Sequence, residues 1–337
     1  MPELRFATIG CGGMIETVHC PNMAAVQGAK LVAYCDLDEA KARKLRATFG
    51  GEYVTSDCKK VFADKGIDGV LIAIGPKAHP AMVRAAAQAG KHVFVEKPLA
   101  DSVAEAAETA RVVEAAGVKF QHGTCNRLAP AVQRAKRLCP TVLYSFAQAT
   151  STVTHMPVHQ IDLAINLFHT APLARVYAGG GQMWHVEVDK DLPADSYSAV
   201  LTFADGSVHT YFQQGPMANA LLGKYHFQLY GKDRVIYLAN RFKECHYMPG
   251  GKLAQSWRFD GSDFDRGPFG YMGHFEELQD LVDAVREDRA TAMPVRQAAY
   301  VTAVETAILR SIETRAVIDF RQYLKEHQAE FLMEGRA

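Results

Sequence analysis

The stretch RFATIGCGGMIETVH, residues 5–19, passes from an apolar segment through closely spaced glycines into a segment of helical composition. Gly10 permits a tight turn after a strand, and Gly12 permits a pyrophosphate to approach the backbone, while the helix N-terminus offers free N–H groups. The glycine pair alone fits a dinucleotide-binding turn and an ordinary strand-to-helix connection equally, because Ile15 replaces the third glycine of the pattern. Its place after the first strand, with Asp36 at the end of the second, favours the dinucleotide-binding turn. The residues expected to contact the dinucleotide here are Gly10, Gly12, Gly13, Met14 and Ile15.

Short apolar segments alternate with helical segments along the first 123 residues. Each apolar segment is nearly continuous, as expected for strands buried on both faces of a parallel sheet. This strand–helix–strand repetition predicts a doubly wound parallel sheet, the α/β fold of a Rossmann domain, over residues 1–123. The five predicted strands are RFATIG, KLVAYCD, DGVLIAIG, KHVFVE and VKFQH.

The sequence changes character after Gly123. Several segments now alternate polar and apolar residues, and ADGS at 204–207 is a tight-turn sequence between two of them. Helical segments flank these strands, among them GHFEELQDLVDAVRED at 273–288. Residues 124–337 are therefore predicted to form an α+β domain with a large, open, mostly antiparallel sheet that carries helices on one face.

The composition indicates which classes of binding partner and which cellular compartment to expect. The 337 residues include 37 Lys and Arg against 37 Asp and Glu, so the net charge favours neither nucleic acid nor an anionic membrane. No apolar run reaches the roughly 18 residues of a spanning helix, and the N-terminus lacks the features of a signal peptide. Seven cysteines without a Cys-x-x-Cys pair disfavour a disulfide framework and a thiolate zinc site. We expect a cytoplasmic protein with no nucleic-acid or membrane partner and no metal.

Asp36 ends the second predicted strand, 26 residues after Gly10. An acidic side chain at this point accepts hydrogen bonds from the adenosine ribose hydroxyls and repels a 2′-phosphate. NAD is therefore favoured over NADP, and a simple helix cap by Asp36 is the alternative. The next strand end is expected to form another wall of the cofactor site, from Ile74, Gly75, Pro76 and His79. His79 is equally suited to a structural role at the start of a helix.

Three further segments resemble a known family: KHVFVEKPLA (91–100), QHGTCNRLAPAVQRAK (121–136) and HQIDLAINLF (159–168). Together with the glycine turn and Asp36, they make nearly the whole chain resemble the Gfo/Idh/MocA oxidoreductases, which include glucose–fructose oxidoreductase and inositol dehydrogenase. The resemblance implies an NAD(H)-dependent enzyme that transfers a hydride between nicotinamide and a hydroxyl or keto carbon of a sugar, glycoside or cyclitol. It also implies a homodimer or homotetramer assembled through the C-terminal sheet.

Glu96, Lys97 and Pro98 follow the predicted strand KHVFVE. A lysine at the carboxyl end of such a strand points into the ligand crevice, where its ammonium can polarise a substrate oxygen. By resemblance Lys97 is the catalytic lysine, and a surface turn is the alternative for an isolated tripeptide. Glu96 is expected to hold this lysine at the cofactor site, and Pro98 to turn the chain in a way that suits a cis peptide bond.

The segment VTHMPVHQID, residues 153–162, contains His155, His159 and Asp162. The family commonly has Asp-x-x-x-His-x-x-Asp here, so the resemblance places His159 at the histidine, whereas His155 replaces the first aspartate. A neutral imidazole can accept a hydroxyl proton as hydride leaves. His159 is the expected base, and His155 the expected substrate-binding or proton-relay group. A zinc site with a third ligand, and a structural role at a helix start, are the alternatives.

Arg127 follows Asn126 where the family often has two consecutive arginines. It is expected to bind substrate or cofactor, or to tether the two domains. The expected substrate-binding residues are Lys97, Arg127, His155 and His159. Two other functions stay open: a glycosidase that uses NAD for transient oxidation, and a sensor that binds nucleotide without turnover. Lys97 and His159 argue against the sensor, because a pure binding protein needs neither.

Overall fold

The computed structural model describes residues 2–150, 157–185, 187, 190–215, 225–259 and 270–335. The described chain forms two compact units. The first unit contains residues 2–101, 105–128 and 270–299, and the second contains residues 102–104, 129–259 and 300–335. The units are interleaved along the chain, because residues 270–299 return to the N-terminal part. The division of the sequence into domains at residue 123 stays a prediction.

The first unit is built on a six-stranded parallel sheet. Its strands are β1 (Leu4–Ile9), β2 (Ala29–Cys35), β3 (Tyr53–Thr55), β4 (Gly69–Ile72), β5 (His92–Val95) and β6 (Phe120–His122). They lie in the order β3-β2-β1-β4-β5-β6, so the winding direction reverses between β1 and β4. The doubly wound sheet is therefore confirmed, and the carboxyl ends of β1 and β4 are where such a sheet binds its ligand.

Helices connect the parallel strands of the first unit. They are α1 (Cys20–Met23), α2 (Glu39–Phe49), α3 (Cys58–Ala63), α4 (His79–Gln88) and α5 (Val103–Ala116), and a π-helical turn at Ile15–His19 precedes α1. The Asp38 side chain caps α2 by accepting a hydrogen bond from the Ala40 N–H. Helix α5 ends before Gly117, whose positive φ of 67° suits glycine at this point.

The second unit is built on a nine-stranded mixed sheet in the described part of the chain. Its strands are β7 (Tyr144–Thr150), β8 (Leu173–Gly181), β9 (Ser196–Phe203), β10 (Val208–Gln214), β11 (Tyr225–Tyr230), β12 (Arg234–Ala239), β13 (Glu244–Pro249), β14 (Gln255–Arg258) and β15 (Ile318–Asp319). The order is β14-β13-β12-β11-β7-β10-β9-β8-β15. Only β7 and β10 pair in parallel, which confirms a mostly antiparallel sheet. The predicted turn joins β9 to β10, with Gly206 at a φ of 84°.

Five further α-helices follow in the part of the chain that the structure describes. They are α6 (Pro130–Leu138), α7 (Pro157–Asp162), α8 (His274–Glu287), α9 (Val295–Thr314) and α10 (Phe320–Glu326). Helix α8 is confirmed as a helix, whereas its expected place beside the second sheet is wrong. Its apolar side chains pack in the core of the first unit with Ile15, Met23 and Phe94. Among the described residues, no helix is both long and apolar enough to cross a bilayer.

Candidate active site

The turn after β1 has the backbone that a dinucleotide site requires. Gly10 has a φ of 91°, and a Cβ there would collide with the carbonyl oxygen of Ala73, so only glycine fits. Gly12 and Gly13 are exposed, and a Cβ at either would meet open space. That space leaves room for a phosphate above the turn. The sequence places Met14 and Ile15 next; Met14 is 40% exposed, whereas Ile15 is buried in the core of the unit.

Asp36 joins the end of β2 to this glycine turn. Its Oδ2 accepts a hydrogen bond from the Cys11 N–H at 2.6 Å, and its Oδ1 accepts one from the Asp38 N–H at 2.9 Å. The helix-cap alternative for Asp36 is wrong, because Asp38 caps α2. Each carboxylate oxygen has a second lone pair for a further donor, and the side chain is only partly buried. Asp36 is therefore fixed in orientation and still able to accept ribose hydroxyls.

The loop after β4 has an exposed part and a buried part. Gly75 and Pro76 are exposed and Ile74 is partly exposed, as suits a wall of a cofactor site. His79 is buried, and its Nδ1 lies 2.7 Å from the Pro98 carbonyl oxygen, while its Nε2 lies 3.2 Å from the carbonyl oxygen of Ile74. Burial lowers the pKa of His79. These contacts favour the structural role, in which His79 joins the β4 loop to the turn that contains Pro98.

Glu96, Lys97 and Pro98 lie at the carboxyl end of β5, and the expected cis Lys97–Pro98 bond is confirmed. Lys97 is partly buried. Glu96 is buried, and its Oε1 lies 2.7 Å from His19 Nε2, while its Oε2 accepts the Lys97 N–H at 3.2 Å. Burial alone would raise the pKa of Glu96, but the hydrogen bond and electrostatic interaction with His19, together with the charge of Lys97, hold that pKa well below its usual range. A fixed carboxylate thus holds the backbone N–H of Lys97.

A second group of buried polar side chains lies in the first unit. The Cys125 Sγ is 3.6 Å from His274 Nε2, and His274 Nδ1 is 3.1 Å from Glu277 Oε1. Burial raises the pKa of the Cys125 thiol and of the Glu277 carboxyl, and it lowers the pKa of His274. Sequence reasoning missed this cluster and His19, since no local motif joins residues that are 149 and 77 positions apart.

Arg127 is buried and bonds within the first unit. Its guanidinium donates to the Ala292 carbonyl oxygen at 2.6 Å and to the Gln297 side-chain oxygen. These bonds join the turn after β6 to the segment that returns to the first unit. A role for Arg127 in binding substrate stays a prediction, and a structural role has direct support from its two hydrogen bonds.

Helix α7 of the second unit carries His159. All six of its residues are buried, and the Asp162 Oδ1 accepts a hydrogen bond from Asn166 Nδ2 at 2.9 Å. Sequence reasoning missed Gln160, a fully buried amide whose oxygen and nitrogen have no hydrogen-bond partner among the described residues. The sequence feature that could have identified it is a glutamine inside the largely apolar segment VHQIDLAI. His155 lies outside the described residues, so its role stays a prediction.

Both halves of the chain match models of one oxidoreductase family. Residues 4–124 match its NAD-binding Rossmann fold, and residues 147–320 match its C-terminal alpha/beta domain. The expected resemblance is therefore confirmed over most of the chain.

Curated relatives match parts of the chain. A 136-residue segment is 36% identical to scyllo-inositol 2-dehydrogenase (NAD(+)) of Bacillus subtilis strain 168, covering 40% of this chain and 40% of that protein. A 226-residue segment is 26% identical to myo-inositol 2-dehydrogenase of Thermotoga maritima, covering 61% of this chain and 66% of that protein. The matched region thus spans less than two thirds of the length of these relatives.

Solved structures share the fold over nearly the full length. A levoglucosan dehydrogenase in complex with NADH superimposes with a TM-score of 0.83 at 19% identity, covering 94% of this chain and 99% of that one. The apo scyllo-inositol dehydrogenase from Lactobacillus casei gives 0.77 at 20% identity, covering 95% of this chain and 98% of that one. At these identities the likeness establishes the fold alone.

Proposed function

The chain belongs to the Gfo/Idh/MocA family of oxidoreductases, and on that premise we propose that it oxidises a hydroxyl of a sugar, glycoside or cyclitol with NAD, or reduces the corresponding ketone. The observation that carries this proposal is the turn at Glu96–Pro98. It presents a lysine at the carboxyl end of a parallel strand, with its backbone N–H held by a buried carboxylate, in the same unit as the glycine turn. The inositol dehydrogenases among its relatives support the substrate class.

The residues of the first unit fit a dinucleotide. The open space at Gly12 and Gly13 accommodates the pyrophosphate, with the N–H groups of the following turn as donors. Asp36 would accept the adenosine ribose hydroxyls, and its charge opposes a 2′-phosphate, which favours NAD. When bound, the nicotinamide accepts or returns the hydride.

Lys97 and His159 take the two roles that hydroxyl oxidation requires. As the carbon loses hydride, the substrate oxygen must lose its proton and pass through alkoxide character. The Lys97 ammonium stabilises that negative charge. The His159 imidazole accepts the proton. Glu96 and His79 act on Lys97 indirectly, because their hydrogen bonds fix the backbone on either side of it. His155 remains in this proposal as a substrate-binding or relay group.

The test is a panel of sugars, cyclitols and glycosides with NAD and with NADP, followed by the absorbance of reduced nicotinamide. We expect net reduction of NAD by at least one polyol. Lys97→Ala and His159→Ala should each lower kcat/KM by about 100-fold or more while NADH still binds. Lys65→Ala and His327→Ala, at two exposed positions, serve as controls.

Three outcomes would count against the proposed function. Turnover of glycosides without net cofactor reduction would indicate the NAD-dependent glycosidase, for which the relatives give no specific support. Tight NADH binding without turnover of any substrate would indicate the sensor. Near wild-type turnover by either variant would remove that residue from its role.

The assembly and the compartment also belong to this proposal. We propose that the protein forms a homodimer or homotetramer through the sheet of the second unit and that it is located in the cytoplasm. Sedimentation of the purified protein tests the first, and fractionation of the producing cells tests the second.

A further inference from the structure

The buried cluster of Cys125, His274 and Glu277 has no part in the proposed reaction. Cys125 lies in the turn after β6, and His274 and Glu277 lie one helical turn apart at the start of α8. Their exposed fractions are 0%, 7% and 0%. Each of these groups loses its hydration in a dry site, so each needs a partner there.

The donor atoms of this cluster have spacings that suit a metal ion. One ligand atom from each residue lies within 4.8 Å of the other two. The 3.6 Å between Cys125 Sγ and His274 Nε2 is about the separation of two tetrahedral zinc ligands, given Zn–S near 2.3 Å and Zn–N near 2.0–2.1 Å. The amide oxygen of Asn126 also lies 3.6 Å from Cys125 Sγ, so it is the nearest candidate for a fourth ligand on the sulfur side of the cluster.

Glu277 supplies an independent reason to expect a cation. Its Oε1 contacts His274, whereas its Oε2 is buried and has no hydrogen-bond partner among the described residues. A divalent cation held by the Cys125 thiolate and the Glu277 carboxylate would form an electrically neutral set. The unpartnered Glu277 Oε2 would then coordinate the cation.

We propose that Cys125, His274 and Glu277, with Asn126, form a closed structural site for a thiophilic divalent cation, for which zinc is the best match. Sulfur and imidazole ligands select zinc over magnesium or calcium. Binding replaces the thiol proton of Cys125 and the carboxyl proton of Glu277, which both leave to solvent, and the His274 imidazole supplies a neutral nitrogen ligand. The ion would link the turn after β6 to the start of α8 within the first unit.

The test measures metal content, which is independent of the proposed oxidoreductase activity. Protein purified from zinc-supplemented cells without chelator or affinity metal is analysed by inductively coupled plasma mass spectrometry. We expect about one zinc per chain. Cys125→Ala and Glu277→Gln should each retain less than about a tenth of that, whereas Cys245→Ala, which removes a buried cysteine of the second unit, should retain it. Cobalt in place of zinc should give a thiolate-to-metal absorption band that Cys125→Ala lacks.

A second measurement guards against variants that fail to fold. Wild-type protein stripped with a chelator should melt at a higher temperature after zinc is added, and magnesium should have no such effect. Wild-type protein with no zinc as purified and no shift in melting temperature on zinc addition would overturn the proposal. The cluster would then be a hydrogen-bonded Cys–His–Glu array only. Zinc bound equally by wild type and Cys125→Ala would also overturn it.

Discussion

Asp36 and Asp38 are two aspartates at the end of β2 with different tasks. Asp36 bonds the glycine turn through the Cys11 N–H, and Asp38 caps α2 through the Ala40 N–H. Only the first aspartate has spare acceptor capacity at the expected ribose position. Substituting the two residues one at a time therefore separates an effect on cofactor preference from an effect on helix stability.

We expect Asp36→Ser to raise KM for NAD about tenfold or more and to move the NAD/NADP ratio of kcat/KM toward NADP. The reason is the loss of the ribose acceptor and of the charge that repels a 2′-phosphate. Initial rates with both cofactors give the ratio. Asp38→Ala is the matched control: it should cost about 1 kcal/mol of stability through the lost cap and leave the ratio unchanged. An unchanged ratio in Asp36→Ser would remove this residue from cofactor selection.

The residues predicted from sequence are those whose roles depend on local pattern. The glycine turn, Asp36 and the Glu96–Pro98 turn each follow directly from a strand end, and strand ends are recognisable as the ends of apolar runs. His19 and the metal-ligand cluster lack such a pattern, since their partners are 77 and 149 residues away. The expectation of no thiolate metal site rested on the absence of a Cys-x-x-Cys pair, which says nothing about ligands brought together by the fold.

At the level of whole elements, the strands not predicted from the sequence were β3, β8, β13, β14 and β15, and short length or glycine content accounts for three of them. The edge strands β3 and β15 have three and two residues, too few to show a period. Strand β8 ends in Gly179, Gly180 and Gly181, which read as a loop in the sequence. The parallel pairing of β7 with β10 could not be predicted from the sequence, because side chains alternate in the same way in parallel and antiparallel strands. The buried central strands were predicted because burial on both faces leaves a continuous apolar run.

A buried chain of hydrogen bonds crosses the second sheet between β7, β10 and neighbouring loops. Ser145 Oγ lies 2.7 Å from His169 Nε2 and 2.8 Å from His209 Nδ1, and His169 Nδ1 lies 2.9 Å from Ser207 Oγ. Asp205 accepts the Ser207 hydroxyl at 2.7 Å. Burial lowers the pKa of His169 from 6.5 to about 4, and it lowers the pKa of His209 as well. The folded array therefore holds neutral imidazoles.

This array predicts a loss of stability in mild acid. Between pH 6.5 and about 4, the unfolded chain binds a proton at His169 that the folded chain does not. The free energy of unfolding keeps this part of its value above pH 6.5 and loses it as pH falls toward 4, by about 3.5 kcal/mol in total at ~1.4 kcal/mol per pKa unit. Melting temperature measured across this range should fall less steeply in His169→Phe than in wild type. His327→Phe, at an exposed histidine, should keep the wild-type slope; equal slopes in all three proteins would contradict the prediction.

On the scale of the molecule, the first unit is completed by a distant part of the chain. Helix α8 places Phe275, Leu278, Leu281 and Val282 in the core beneath the parallel sheet. Burial of each such side chain contributes about 1.5–3 kcal/mol. Four of them together approach the whole stability of an ordinary domain, about 5–15 kcal/mol. The N-terminal unit thus depends on residues that lie beyond most of the second unit in sequence.

We therefore expect a fragment of residues 1–128 to lack a cooperative thermal transition. The same fragment joined by a glycine–serine linker to residues 270–299 should regain one, because the linker restores α8 to the core. Circular dichroism during heating measures both. The control is the same fusion with Leu278 and Leu281 changed to serine, and this control should melt without a cooperative transition. Cooperative melting of residues 1–128 alone would contradict the dependence on α8.

The late return of α8 also determines when this protein can fold during its synthesis. A ribosome that has just added Leu128 must add the 159 residues through Glu287 before the first unit has its last helix. At roughly 5–20 residues per second, that interval is about 8–32 seconds. During this time the nascent chain exposes the apolar surface that α8 later covers. Chaperones that bind the nascent chain should therefore be engaged until translation is almost complete.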